Sequence, residues 1–79
     1  MKVKYIGPDI GVDGLINGNI YEVCGVDDLT GYLSIIDESG EDYLYHPQKP
    51  QAIAGTYNGG YFEIIEDDAQ ETLHKAIYN

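Results

Sequence analysis

The chain has 79 residues, 43% of them hydrophobic, and a formal charge of −10 from 14 acidic against four basic side chains, all lysines. That is too hydrophobic for a disordered chain, yet short enough for one domain that buries only about 60% of its unfolded surface around a thin core. The charge argues against direct nucleic-acid or anionic-membrane binding, since phosphate contacts need Lys and Arg, and the lone Cys24 leaves no internal disulfide and no cysteine-based zinc site.

Ten glycines punctuate short apolar runs that hold eight Tyr and one Phe, the rhythm of a small all-β fold. The first predicted strand is Lys2–Ile6, where Val3 and Tyr5 alternate with Lys2 and Lys4. Residues 7–19 are a long loop that ends on Asn17-Gly18, a turn signal because both residues tolerate positive φ. Ile20–Val26 is the second strand, with Tyr21 and Val23 on one face and Glu22 and Cys24 on the other. Cys24 is expected to be packed, as free cysteines usually are. A turn over 27–31 leads to a third strand at 32–36, and Asp37-Glu38-Ser39-Gly40 connects it to a fourth at 41–45. Gly40 suits the left-handed position of a short β-loop. His46-Pro47 ends that strand, because proline donates no ladder hydrogen bond. A second long loop follows over 47–60, then a fifth strand, Tyr61–Glu66, with Phe62 and Ile64 on one face.

Residues 67–79 change period. Asp67, Asp68 and Glu71 suit the start of a helix, and Asp68 with Glu71 has capping-box spacing. Ala69, Leu73, Ala76 and Ile77 fall on one helical face. So short a helix is marginal alone and should hold only if Leu73 and Ile77 pack on the sheet. The strands themselves are expected to fold without it. The fold expected is mainly β: a small SH3-like five-stranded barrel over 1–66, closed by the fifth strand against the first, with a short C-terminal α-helix over 67–79 packed on it. A partly open OB-like barrel is the alternative.

The segments Lys2-Val3-Lys4-Tyr5-Ile6-Gly7, Leu15 to Val23, Ile35 to Tyr45 and Phe62-Glu63-Ile64-Ile65 together resemble small SH3-like barrel proteins of Firmicutes and their prophages, mostly of unassigned function. The resemblance covers about residues 1–66. It implies the barrel and a bacterial or prophage origin, and it carries no catalytic residue. One departure stands out. The long first loop holds no aromatic residue, unlike signalling SH3 domains that bind proline-rich peptides.

The acids fall in clusters: Asp27-Asp28, Asp37-Glu38, Glu41-Asp42 and Glu66-Asp67-Asp68. They read as solvated turns and a helix cap, or as a phosphate-like array that imitates nucleic acid. Asp9, Asp13 and Gly14 invite a calcium reading, but the alternate ligands and closing Glu of an EF-hand are missing. Glycine-rich stretches lack the Lys and Ser or Thr of a phosphate loop. His46 and His74 have no third ligand, and Cys24 has no evident base, so neither metal, cofactor nor catalysis is implied. Tyr5 and Tyr21 pattern as core, while Tyr32, Tyr57, Tyr61 and Tyr78 are candidates for exposure. The expected function is a non-enzymatic protein-interaction module in the cytoplasm, without membrane or direct nucleic-acid contact. Its candidate surface is Tyr32, Asp37, Glu38, Glu41, Asp42, Tyr43, Tyr45 and Tyr61. An acidic counter-defence inhibitor of phage origin is the alternative.

Overall fold

A computed structural model of the chain describes residues 1–52, 55–57 and 59–78. Positions 53, 54 and 58 of the second long loop, and position 79 of the predicted helix, lie outside the described residues. Five strands form one antiparallel sheet: β1 (Lys2–Ile6), β2 (Ile20–Val26), β3 (Leu33–Ile36), β4 (Asp42–Tyr45) and β5 (Tyr61–Glu66). One helix, α1 (Thr72–Tyr78), follows. The spatial order is β4-β3-β2-β1-β5, so the first four strands form a meander and β5 returns to the other side of β1. β3 and β4 each begin one residue later than the sequence predicts.

Strand alternation sorts the side chains into two faces. Val3 and Tyr5 of β1, Tyr21 and Val23 of β2, Leu33 and Ile35 of β3, Tyr45 of β4 and Phe62 of β5 are all buried in one core. The register places them opposite one another: Val3 with Tyr21, Val23 with Ile35, Leu33 with Tyr45, and Tyr5 with Phe62. The rings of Tyr5 and Phe62 meet edge-on, with centroids 6.0 Å apart. On the outer face, Lys2 lies opposite Glu22 and Glu66, and Lys4 opposite Glu63. Opposite charges across strands stabilise an exposed sheet face. Cys24 is exposed there too, not packed as the sequence suggested, because it shares the parity of Glu22 rather than of Val23.

No ladder joins β4 to β5 among the described residues, so the sheet stays open where the sequence predicts a closed barrel. Two segments account for this. After β4 the chain doubles back: the His46 amide donates to the Gln51 carbonyl at 3.1 Å, and Tyr45 bridges to Ala52. One end of the β4 edge is thereby occupied by its own continuation. The helix supplies the remaining cover, with Leu73 and Ile77 buried in the same core as the strand residues.

The helix also starts later than its acids suggest. Ala69 is exposed and precedes α1, which begins at Thr72. Asp68 accepts the Thr72 amide at 2.9 Å, and Asp67 accepts the amides of Leu73 at 2.9 Å and His74 at 3.1 Å. Two carboxylates thus satisfy three amides that a helix start leaves unpaired. The expected pairing of Asp68 with Glu71 is only a backbone turn, in which the Glu71 amide donates to the Asp68 carbonyl at 3.1 Å. Glu71 sits at φ 58°, a left-handed conformation that turns the chain into the helix.

Candidate functional site

The long first loop is a small hairpin. The Gly18 amide donates to the Tyr5 carbonyl at 2.7 Å, and the Tyr5 amide to the Asn19 carbonyl at 3.0 Å, which continues the β1–β2 pairing into the loop. Beyond this, Ile10 and Leu15 exchange backbone hydrogen bonds of 2.8 and 3.2 Å. Leu15 is wholly buried and anchors the loop on the core. The tip, Gly11-Val12-Asp13-Gly14, is very tight: a Cβ on Gly14 would lie 2.1 Å from the Ile10 carbonyl oxygen, so only glycine fits. Val12 at the tip is 94% exposed. The Glu38 amide donates to the Gly14 carbonyl at 2.9 Å and ties this tip to the β3–β4 turn.

The β3–β4 turn is built on carboxylates. Asp37 is buried and accepts the Tyr45 hydroxyl at 2.7 Å and the Ser39 amide at 3.0 Å. Gly40, at φ 82°, lets its amide reach the Asp37 carbonyl at 3.0 Å. Glu38 accepts the Tyr21 hydroxyl at 2.6 Å and the Asn19 side-chain amide at 3.0 Å. The Tyr21 oxygen in turn accepts the Ile16 amide at 2.7 Å. Burial, then the hydrogen bond to Glu38, pushes the Tyr21 hydroxyl up to about 12. The same bond, with that from Asn19, holds the Glu38 carboxyl below its ordinary range. Tyr45 is raised likewise by burial and by Asp37.

Between the two hairpins runs an open groove of about 370 Å³, lined in part by Ile10, Asp13, Asp37, Tyr43, Tyr45 and Ala52. A second depression of about 470 Å³ lies along the same hairpin and is lined by Cys24, Ile36, Gly40, Glu41, Asp42 and Tyr43. Tyr43 is half exposed and borders both. Its hydroxyl donates to Glu41 at 3.1 Å, and that bond raises its pKa.

Six of the eight residues read as a binding surface meet at this hairpin: Asp37, Glu38, Glu41, Asp42, Tyr43 and Tyr45. Asp37 and Tyr45 are buried rather than displayed, because each satisfies the other across the turn. Tyr32 and Tyr61 do not join the cluster. Tyr32 precedes β3 and packs edge-on against His46, ring centroids 5.1 Å apart. Tyr61 is exposed on β5, the opposite edge of the sheet, paired with Ile6. The groove's other wall, Ile10, Asp13 and Ala52, is absent from the surface read from the sequence. Its signal was Gly11-Val12-Asp13-Gly14 between two isoleucine- and leucine-bearing arms, the composition of a hairpin tip.

The histidines are used locally. His46 Nδ1 accepts the amides of Gln48 at 3.1 Å and Lys49 at 3.0 Å, and His74 Nδ1 lies 2.6 Å from Asp67. Among the described residues, no three His, Cys, Asp or Glu side chains converge as metal ligands, and no helix is long and apolar enough to cross a membrane. Comparison with protein-family models, curated proteins and solved structures gives no match.

Proposed function

We propose that this protein is a non-enzymatic interaction module whose binding face is the groove between the first-loop hairpin and the β3–β4 hairpin. The observation that carries this reading is the pairing of an open groove with apolar side chains left in water beside it. Val12 is 94% exposed at the tip of one wall, and Tyr43 is 50% exposed on the other. Single exposed side chains are ordinary, Leu29 at 96% among them; Val12 and Tyr43 differ in standing beside one groove. The long first connection and the return of β5 to β1 support an SH3-like grouping, and the bacterial or prophage origin rests on the sequence resemblance alone.

An inhibitor that imitates nucleic acid needs its carboxylates on one side. Here Asp37, Glu38, Glu41 and Asp42 gather at the β3–β4 hairpin, whereas Glu66 ends β5 and Asp67 follows it, at the opposite edge of the sheet. Several of the hairpin carboxylates also accept hydrogen bonds from the protein itself, Asp42 from the Ser34 hydroxyl at 3.2 Å among them. Both features favour the interaction module.

Affinity capture from the native host, read by mass spectrometry, tests the reading. The parent and an Asp28→Asn control should retain one partner that the double variant Val12→Ser, Tyr43→Ala releases. A partner held equally by the double variant would overturn the assignment of the binding face.

A further inference from the structure

Resting on that reading, we infer that the groove receives an extended, lysine- or arginine-bearing segment of a partner protein, laid across Tyr43. Charge complementarity selects this occupant. Among the described residues, the two linings that border Tyr43 hold Asp13 and Asp37 on one side and Glu41 and Asp42 on the other, with no basic side chain. The chain's lysines lie elsewhere: Lys2 and Lys4 on β1, Lys49 after β4 and Lys75 on α1. Lys2 and Lys4 of β1 stand opposite Glu22 of β2 and Glu66 and Glu63 of β5 in the register, so negative charge on that face is compensated within the sheet. At the groove it is not.

The four carboxylates differ in what they have left to offer. Asp37 is buried and holds Tyr45 and Ser39, so it shapes the floor. Asp13 is exposed at the hairpin tip and, among the described residues, accepts no hydrogen bond. It is the acid best placed to meet an incoming cation. Tyr43 adds an aromatic face beside the charges, and a guanidinium or ammonium over such a ring gains a cation–π attraction. Ile10 and Ala52 supply apolar contact for the stem of a long basic side chain, which buries its methylenes and keeps its charged end in water. An anionic or purely aliphatic segment would use only part of this lining.

The test is a nuclear magnetic resonance titration of the ¹⁵N-labelled protein with a capped alanine peptide bearing one central arginine. The same peptide with citrulline in place of arginine is the uncharged control. Saturable shifts are expected at Gly11, Asp13, Gly14, Gly40 and Tyr43, weakening as salt rises, with none from the citrulline peptide. Asp13→Asn should weaken binding about two- to fivefold, the range of an exposed ion pair, and Asp28→Asn should not. Tyr43→Leu should weaken it as well, with retained spectral dispersion as the check on folding. Equal binding of the citrulline peptide, shifts spread evenly over Asp27, Asp28 and Glu66, no saturable shift, or an unchanged Asp13→Asn affinity would each overturn the inference. Groove-dependent capture of a partner without any arginine-dependent shift would retain the module and reject the cationic ligand.

Discussion

Truncating Leu73 to alanine tests whether α1 belongs to the core. Leu73 has no exposed surface and packs in one cluster with the strand residues. Leu→Ala changes at such sites cost about 2–5 kcal/mol, and a short terminal helix can partly collapse into the gap, so about 3 kcal/mol is expected. A domain of this size has roughly 5 kcal/mol of stability in total. With a urea dependence of about 1 kcal/mol per molar for so small a protein, the midpoint should fall by about 3 M. Tyr78→Ala, on the same helix but 67% exposed, should stay within about 0.5 kcal/mol of the parent. Urea melts followed by circular dichroism measure both. A chain ending at Glu66 should lose its native amide dispersion for the same reason. Equal midpoints for the two alanine variants, or a dispersed spectrum from the shortened chain, would mean that the strands fold alone and that the helix only rests on them.

Phe62→Ala removes the ring that meets Tyr5 and should cost about 3 kcal/mol or more; an unmoved urea midpoint would place Phe62 outside the core. Asp67 is held well below the ordinary carboxylate range: burial opposes this, but the amides of Leu73, His74 and Asp68 and the His74 ring outweigh it. A carboxyl lowered in the folded state stabilises fully above its unfolded value of about 4 and loses that contribution as the pH falls through its folded value. Acid melts should therefore show stability declining below about pH 4, and Asp67→Asn should flatten the decline while lowering the melting temperature at neutral pH; an unaltered acid limb would remove Asp67 as a cap. Tyr21 follows the opposite sign. Its hydroxyl is raised to about 12, so its contribution is whole below about pH 10 and fades as the pH climbs toward the folded value. Phenolate absorbance should show Tyr21→Phe removing a late-ionising group, and a titration identical to the parent's would contradict the Glu38 hydrogen bond. Cys24 is exposed, so one thiol per chain should react with an aromatic disulfide reagent without denaturant; labelling that requires urea would return Cys24 to the interior.

The strands were legible because each buries one face of a two-residue alternation. Val3 and Tyr5, Tyr21 and Val23, and Phe62 declare themselves by position, and the bounds of β1, β2 and β5 follow. Cys24 broke the reading because residue type was weighed above parity. The helix face was visible in Leu73 and Ile77, but not that it completes the core. That depends on how far β4 lies from β5, a distance no local pattern encodes. The site was half legible. Its acidic and tyrosine wall lies on one hairpin, continuous in sequence, whereas Asp13 and Ala52 reach it from two loops through the bridges Ile10–Leu15 and Tyr45–Ala52. Nor does composition distinguish an acid that holds its own turn, such as Asp37, from one that faces water, such as Asp13.

The choice of tyrosine for so many core positions follows from the size of the domain. A small core needs large rings to bury enough surface, yet the end of every ring lies close to the boundary, where a hydroxyl finds a partner. Tyr5 donates to the Pro8 carbonyl, Tyr21 to Glu38 and Tyr45 to Asp37. These three hydroxyls pin the two hairpins that wall the groove onto the sheet beneath them. A phenylalanine at any of the three would keep the apolar contact and release a loop, leaving the Pro8 carbonyl, Glu38 or Asp37 respectively short of a donor. A buried or partly buried acceptor without its donor costs more than the bond itself gains. The polar ends of the core therefore set the shape of the surface, because they tie the walls of the groove to the sheet.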